Sequence, residues 1–143
     1  MDVHYKTGDE IQAVVTGFES CTTPKTEFPH CRHLTVAVSY LMRLPFEDAA
    51  ERMRTGLFRF LDHHGVGREK YHETLTMFWM KIIRKTLDEL GAEVSLVEAT
   101  NTIVHALANS RLVFDYYSRE LLDSQHARRE WIAPDLRGKF TNE

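Results

Sequence analysis

The sequence lacks most features that would narrow a function at once. Two cysteines, Cys21 and Cys31, in 143 residues are too few for a disulfide framework, and neither belongs to a C-x-x-C motif. No apolar run is long enough to span a bilayer. Residues 1–10 are charged where a signal peptide would carry an apolar core, so the protein reads as cytoplasmic, with no membrane partner. A formal net charge of -3 provides no basic field to gather phosphates, so nucleic acid is not expected as a partner. Strict apolar–polar alternation over five or more residues is hard to find, which argues against strands. No internal repeat, low-complexity run or linker divides the chain.

What is present fits one globular domain over 1–143, with 1–8 and 137–143 as loose termini. A chain of this length buries a core without staples, and 43% hydrophobic with 27% charged residues is ordinary for a soluble protein. The unusual feature is eight histidines.

Apolar residues recur at intervals of three and four along most of the chain, which predicts an all-α, up-down helical bundle of five or six helices. The first helix fits 9–18 behind the capping-box pattern at Thr7 and Glu10, with Ile11, Val14, Val15 and Phe18 as its stripe. Thr26 caps the second, with Pro29 tolerated in its first turn; His30, His33, Leu34, Ala37, Tyr40, Leu41 and Leu44 share a face until Pro45 ends it. The third runs from Phe46 through Ala49, Ala50, Met53, Leu57, Phe60 and Leu61 to His64, and Gly65 stands where a helix end favours left-handed backbone. The fourth, about 71–90, is apolar over a wide arc, which suggests a central helix with neighbours on two sides; Gly91 stops it. Ser95 to Glu98 forms a second capping box and opens a fifth helix that ends at Asn109–Ser110. A sixth, from near Arg111, is interrupted at Ser124 and closed by Pro134.

Short connections make successive helices antiparallel, and this decides which histidines meet. His30 and His33 lie in the first turns of the second helix, His64 in the last turn of the third and His72 in the first turn of the fourth. All four belong to one end of the bundle. His33 shares a face with Ala37 and Tyr40, His64 with Leu57 and Leu61, and His72 with Leu75 and Trp79, so these three point inward. His63 and His105 fall off the apolar stripes, and His4 and His126 lie outside the core.

Imidazole is a common ligand of transition metals, and bundles build such sites from facing helices. His30, His33, His64 and His72 are therefore candidate ligands for a divalent ion such as zinc, iron or nickel, with Glu27 and Glu73 as nearby carboxylates and Thr76 as an orienting group. Two known templates are rejected: His-x-x-His is not the spacing of H-E-x-x-H metalloproteases, and the Glu-x-x-His pair of di-iron bundles occurs only once. Helix N-termini also oppose a cation, because they present partial positive charge. The same cluster would suit a carboxylate or phosphate, with Arg32 and Arg68 at the rim. The plain alternative is that these are core or pocket-lining histidines. Tyr71, Thr76, Trp79 and Tyr40 are candidates for lining a small-molecule pocket, against the simpler reading of aromatic residues as packing.

The segments "FPHCRHLTVAVSYL" and "YHETLTMFW" resemble a group of small bacterial all-helical proteins that carry an H-x-x-H-L segment and a later Y-H-x-T-x-T segment. The resemblance covers roughly 18–79 and matches His30, His33, His72, Thr74 and Thr76; it implies no activity. Three function classes follow. A bound metal with an open coordination position would activate water or dioxygen. A binding module would hold a small ligand without chemistry. A self-association domain would use the wide apolar arc of the fourth helix, which keeps a homodimer among the possible states.

Overall fold

Local capping chemistry sets where most of the helices begin. In the computed structural model, which describes residues 3–137, the chain forms α1 (Gly8–Glu19), α2 (His30–Arg43), α3 (Phe46–His63), α4 (Glu73–Leu90), α5 (Leu96–Ala106), α6 (Arg119–Leu122) and α7 (Gln125–Arg129). Three 3-10 turns stand at Lys25–Glu27, Arg68–Lys70 and Ser110–Asp115, and no strand occurs among the described residues. The capping box at α1 is complete: the Thr7 hydroxyl accepts from the Glu10 N–H, and the Glu10 carboxylate accepts from the Thr7 N–H at 3.0 Å. At α5 only half of the box forms, because Glu98 turns to the Ser95 hydroxyl instead of its backbone N–H. Gly65 and Gly91 both adopt positive φ, 71° and 90°, as the ends of the third and fourth helices demanded.

Helix directions alternate. Phe46 at the start of α3 lies under the Lys81 ammonium, 5.6 Å from it, while Arg54 reaches Glu73 at the start of α4 at 2.9 Å, so these two helices are antiparallel. His30 packs on Trp79, ring centroids 4.6 Å apart, and the Leu41 carbonyl accepts from Arg84 at 3.0 Å, so α2 and α4 run the same way. The all-α up-down bundle is therefore as the periodicity indicated.

Four details differ from expectation. The helix at the centre is α2, whose residues 34–41 are all buried and which packs on α1, α3, α4 and α5. The wide arc of α4 is used against α2, α3, α5 and α7. The start of the second helix is later than Thr26: Lys25–Glu27 forms its own turn and Pro29 is the residue before the first helical position, because proline can neither donate a backbone N–H nor leave its predecessor helical. The sixth helix does not exist as one piece. Asn109, Ser118 and Ser124 each accept a hydrogen bond from the N–H of a residue two or three positions on, and each cap starts a new short element.

The fourth difference is at the amino end. Tyr5 is buried, its hydroxyl pairs with Thr35 at 2.9 Å, and its backbone exchanges two hydrogen bonds with the Asn101 side chain. That part of 1–8 is docked. The tail from 138 onward lies outside the described residues, but Leu136 is tied by its N–H to the Tyr116 carbonyl at 2.9 Å. The segment after α7 crosses α4 through Thr74, whose hydroxyl donates to the Glu130 carbonyl at 2.7 Å and accepts from the Ile132 N–H at 3.1 Å. Among the described residues no helix is long and apolar enough to cross a membrane.

Candidate functional site

The alternation of helix directions puts the start of α2, the end of α3 and the start of α4 at one end of the bundle. Between these three helices lies a cavity of about 380 Å³, lined at its mouth by Lys25, His30, His33, His64, Lys70 and His72. Its depth is apolar, with Ala37, Met53, Met80 and Ile83 from α2, α3 and α4. All four candidate histidines thus share one space, and so do Tyr71, Thr76 and Trp79.

Tyr40 does not. Its hydroxyl donates to the Glu19 carboxylate at 2.5 Å, and Arg52 stacks over its ring at 5.4 Å. Seven residues beyond His33, it keeps the same azimuth but stands two turns along α2, past the cavity floor, where α1 ends and draws it away. Burial, with help from Glu19, raises its pKa.

The histidines differ sharply in what their nitrogens do. His72 immediately precedes α4 and caps it: its Nδ1 accepts from the Leu75 N–H at 3.1 Å, while its Nε2–H donates to the Leu122 carbonyl at 2.7 Å. A carbonyl only accepts and an N–H only donates, so the ring is neutral and its tautomer is fixed. Both nitrogens are committed to the fold. His30, also a candidate ligand, donates its Nε2–H to the Leu107 carbonyl at 3.0 Å, at the end of α5, with its ring edge-on to Trp79.

His33 is hydrogen-bonded to the Phe28 backbone, and His64 is less occupied. The His33 ring meets Phe28 at 4.5 Å and is packed within the fold except where it lines the cavity. His64 is held between Phe60 at 4.3 Å and His63 at 5.0 Å, and its Nε2 is buried without a hydrogen-bond partner among the described residues.

Desolvation dominates the electrostatics. It pushes the His33 pKa down to about 4, helped by the neighbouring His30 and opposed by a hydrogen bond to the Phe28 backbone. It lowers His30 and His72 as well, against the carbonyls of Leu107 and Leu122. At neutral pH these three are uncharged. His4, His63, His105 and His126 are exposed, as their positions off the stripes implied.

The nearby carboxylates serve elsewhere. Glu73 is gripped by Arg54 through both oxygens, at 2.9 and 2.6 Å, and accepts from the Tyr71 hydroxyl at 2.7 Å. Burial opposes its ionisation, yet Arg54 and Tyr71 outweigh it and its pKa lies below the ordinary value. Burial and Glu73 raise that of Tyr71. Thr76 donates to the His72 carbonyl at 2.9 Å, so it steadies the first turn of α4. Glu27 is exposed. Among the described residues no three His, Cys, Asp or Glu side chains are grouped as a metal site.

Sequence reasoning missed Lys25 and Lys70, which stand in 3-10 turns just before the helices that carry the histidines, and it read Leu57, Leu61 and Leu75 as plain core although they face the cavity. The lysines left a usable signal, being charged residues in the two turns that flank the histidine-bearing helix starts. The partners of His30 and His72 left none, because Leu107 and Leu122 act through their carbonyls. No protein-family model, curated protein or solved structure matches the chain.

Proposed function

We propose that the protein is a small-molecule binding module whose site is the cavity between α2, α3 and α4. The observation that carries this reading is the cavity itself: about 380 Å³, within the roughly 300–1,000 Å³ range of ligand sites, apolar in depth and polar at one end. Water in a space of that size finds few hydrogen-bond partners along its apolar depth, and a bound apolar ligand would displace it favourably. Histidines that stay neutral at the mouth suit hydrogen bonding to a ligand without a large desolvation cost.

A divalent metal in the same place would need lone pairs from at least three rings. His72 can offer one only by abandoning the cap of α4 or the Leu122 carbonyl, and His30 has only Nδ1 to give. The organic-ligand reading asks for no such rearrangement. It also needs no second copy of the chain: the large exposed apolar side chains among the described residues, Met42, Leu90 and Leu136, fall in separate segments, and the cavity is lined by one bundle.

Trp79 lines the cavity and is a built-in reporter. In a Trp131→Phe variant it is the remaining tryptophan, and 1-decanol should change its emission saturably at one equivalent. Ala37→Leu, which fills the floor, should abolish the change while the protein stays folded; Leu61→Trp, read by competition, would serve if Ala37→Leu does not fold. Stoichiometric metal in tag-free protein, lost in both His33→Ala and His72→Ala, together with no decanol response, would replace this reading by the metal one.

A further inference from the structure

Resting on that reading, we infer that the ligand is an aliphatic monocarboxylate, held with its carboxylate at the mouth and its chain along the α2–α3–α4 axis. Two observations select the head group. Among the described residues, the formally charged side chains lining the cavity are Lys25 and Lys70, at the same end, and no Asp or Glu lines it. Their acidic neighbours in the turns, Glu27 and Glu69, are exposed and outside the lining; Glu73 and Asp62 are already paired with Arg54 and Arg68. Lining the same cavity as the lysines, His64 has a buried Nε2 with no partner among the described residues, and a carboxylate oxygen would satisfy it.

Two further observations select the tail. From His72 at the mouth to Ile83 on the floor is eleven residues of α4, about 16 Å along the axis at the helical rise. A space of about 380 Å³ holds roughly a dozen water-sized groups, hence a chain of about that many non-hydrogen atoms. The floor of Ala37, Met53, Met80 and Ile83 offers no charge or hydrogen-bonding side chain to a second polar end, which disfavours dicarboxylates and sugars, and the two methionines adapt readily to an unbranched chain.

Calorimetric titration of the wild-type chain with octanoate, decanoate and dodecanoate, each beside its matched 1-alkanol, tests the assignment. Affinity should rise about fourfold per added methylene until the cavity is full. Each acid should bind at least tenfold more tightly than its alkanol. The double variant Lys25→Gln, Lys70→Gln, at exposed positions that leave the core intact, should erase that preference and leave the alkanol affinities unchanged. Equal binding of acid and alkanol, or a preference for the alkanol, would overturn the carboxylate assignment and leave the cavity reading standing. Binding of neither by the folded wild-type chain would overturn both.

Discussion

The bundle has two halves built from similar residues and finished differently. Where α1, α2 and α5 meet, Ile11, Val36, Val38, Ala99 and Ile103 are fully enclosed at 0% exposure, and Tyr5 and Asn101 seal the edge with hydrogen bonds. Where α2 meets α3 and α4, Leu57, Leu61, Leu75 and Trp79 remain half-buried around a cavity, although each sits on the apolar stripe of its helix. One central helix serves both halves. Its β-branched positions Val36 and Val38 are fully buried, whereas the small Ala37 lines the cavity and leaves it unfilled. The difference teaches that apolar periodicity specifies which face turns inward but not whether the interior is filled.

Truncations should separate the halves most strongly. Ile103→Ala opens a new void in a closed core and should cost about 2–5 kcal/mol, whereas Leu61→Ala only enlarges existing space and should cost about 1 kcal/mol, measured by urea unfolding. Equal costs would break the comparison. Acid should act next, and first on the cavity half. The unfolded chain takes up protons near pH 6.5, while native His33 resists until about pH 4, so stability is lost as pH falls through that window, by about 3 kcal/mol in all from His33. His30 and His72 shift in the same direction and add to it. Hydrogen exchange at pH 5 should expose the first turns of α2 and α4 before α1 or α5; uniform loss would remove the distinction.

Arg54→Met leaves the partly buried Glu73 carboxylate with only Tyr71, and should cost about 1–3 kcal/mol while loosening the start of α4. Arg54→Lys should recover part of it, because an ammonium cannot reproduce the two-pronged contact. Thr74→Val should cost about 1–2 kcal/mol, from the two lost hydrogen bonds to the segment after α7. Faster proteolysis after residue 129, with the cavity unaffected, would sharpen the view of that segment as a strap on the outside of α4.

The parts of this structure legible in the sequence were those dictated by local chemistry: the caps at Thr7 and Ser95, the stops at Pro45, Gly65 and Gly91, and the meeting of His30, His33, His64 and His72 at one end, which followed from short connections alone. What a histidine does once there was not legible. His72 looked like a ligand because it shares a stripe with Leu75 and Trp79, but its Nδ1 caps its own helix and its Nε2 is used by a carbonyl fifty residues away. Tyr40 was misplaced for a related reason, since azimuth is periodic in sequence whereas depth depends on where neighbouring helices end. The centrality of α2 was readable in the unbroken LTVAVSYL, yet the longer apolar arc of α4 drew attention from it. The fragmentation after Asn109 turned on three side-chain caps whose strength relative to weak helix packing sequence alone does not weigh.

The central claim is that the α2–α3–α4 space is a preformed site for an apolar ligand and not a badly closed core. Backbone amide chemical shifts of the isotope-labelled wild-type chain, followed during titration with 1-decanol, test it most directly because the probe carries no charge. The account predicts saturable shifts at one equivalent, concentrated at Ala37, Leu61, Leu75, Trp79 and Met80 and small across α1 and α5. Shifts spread over both halves, or none at saturating decanol, would contradict it.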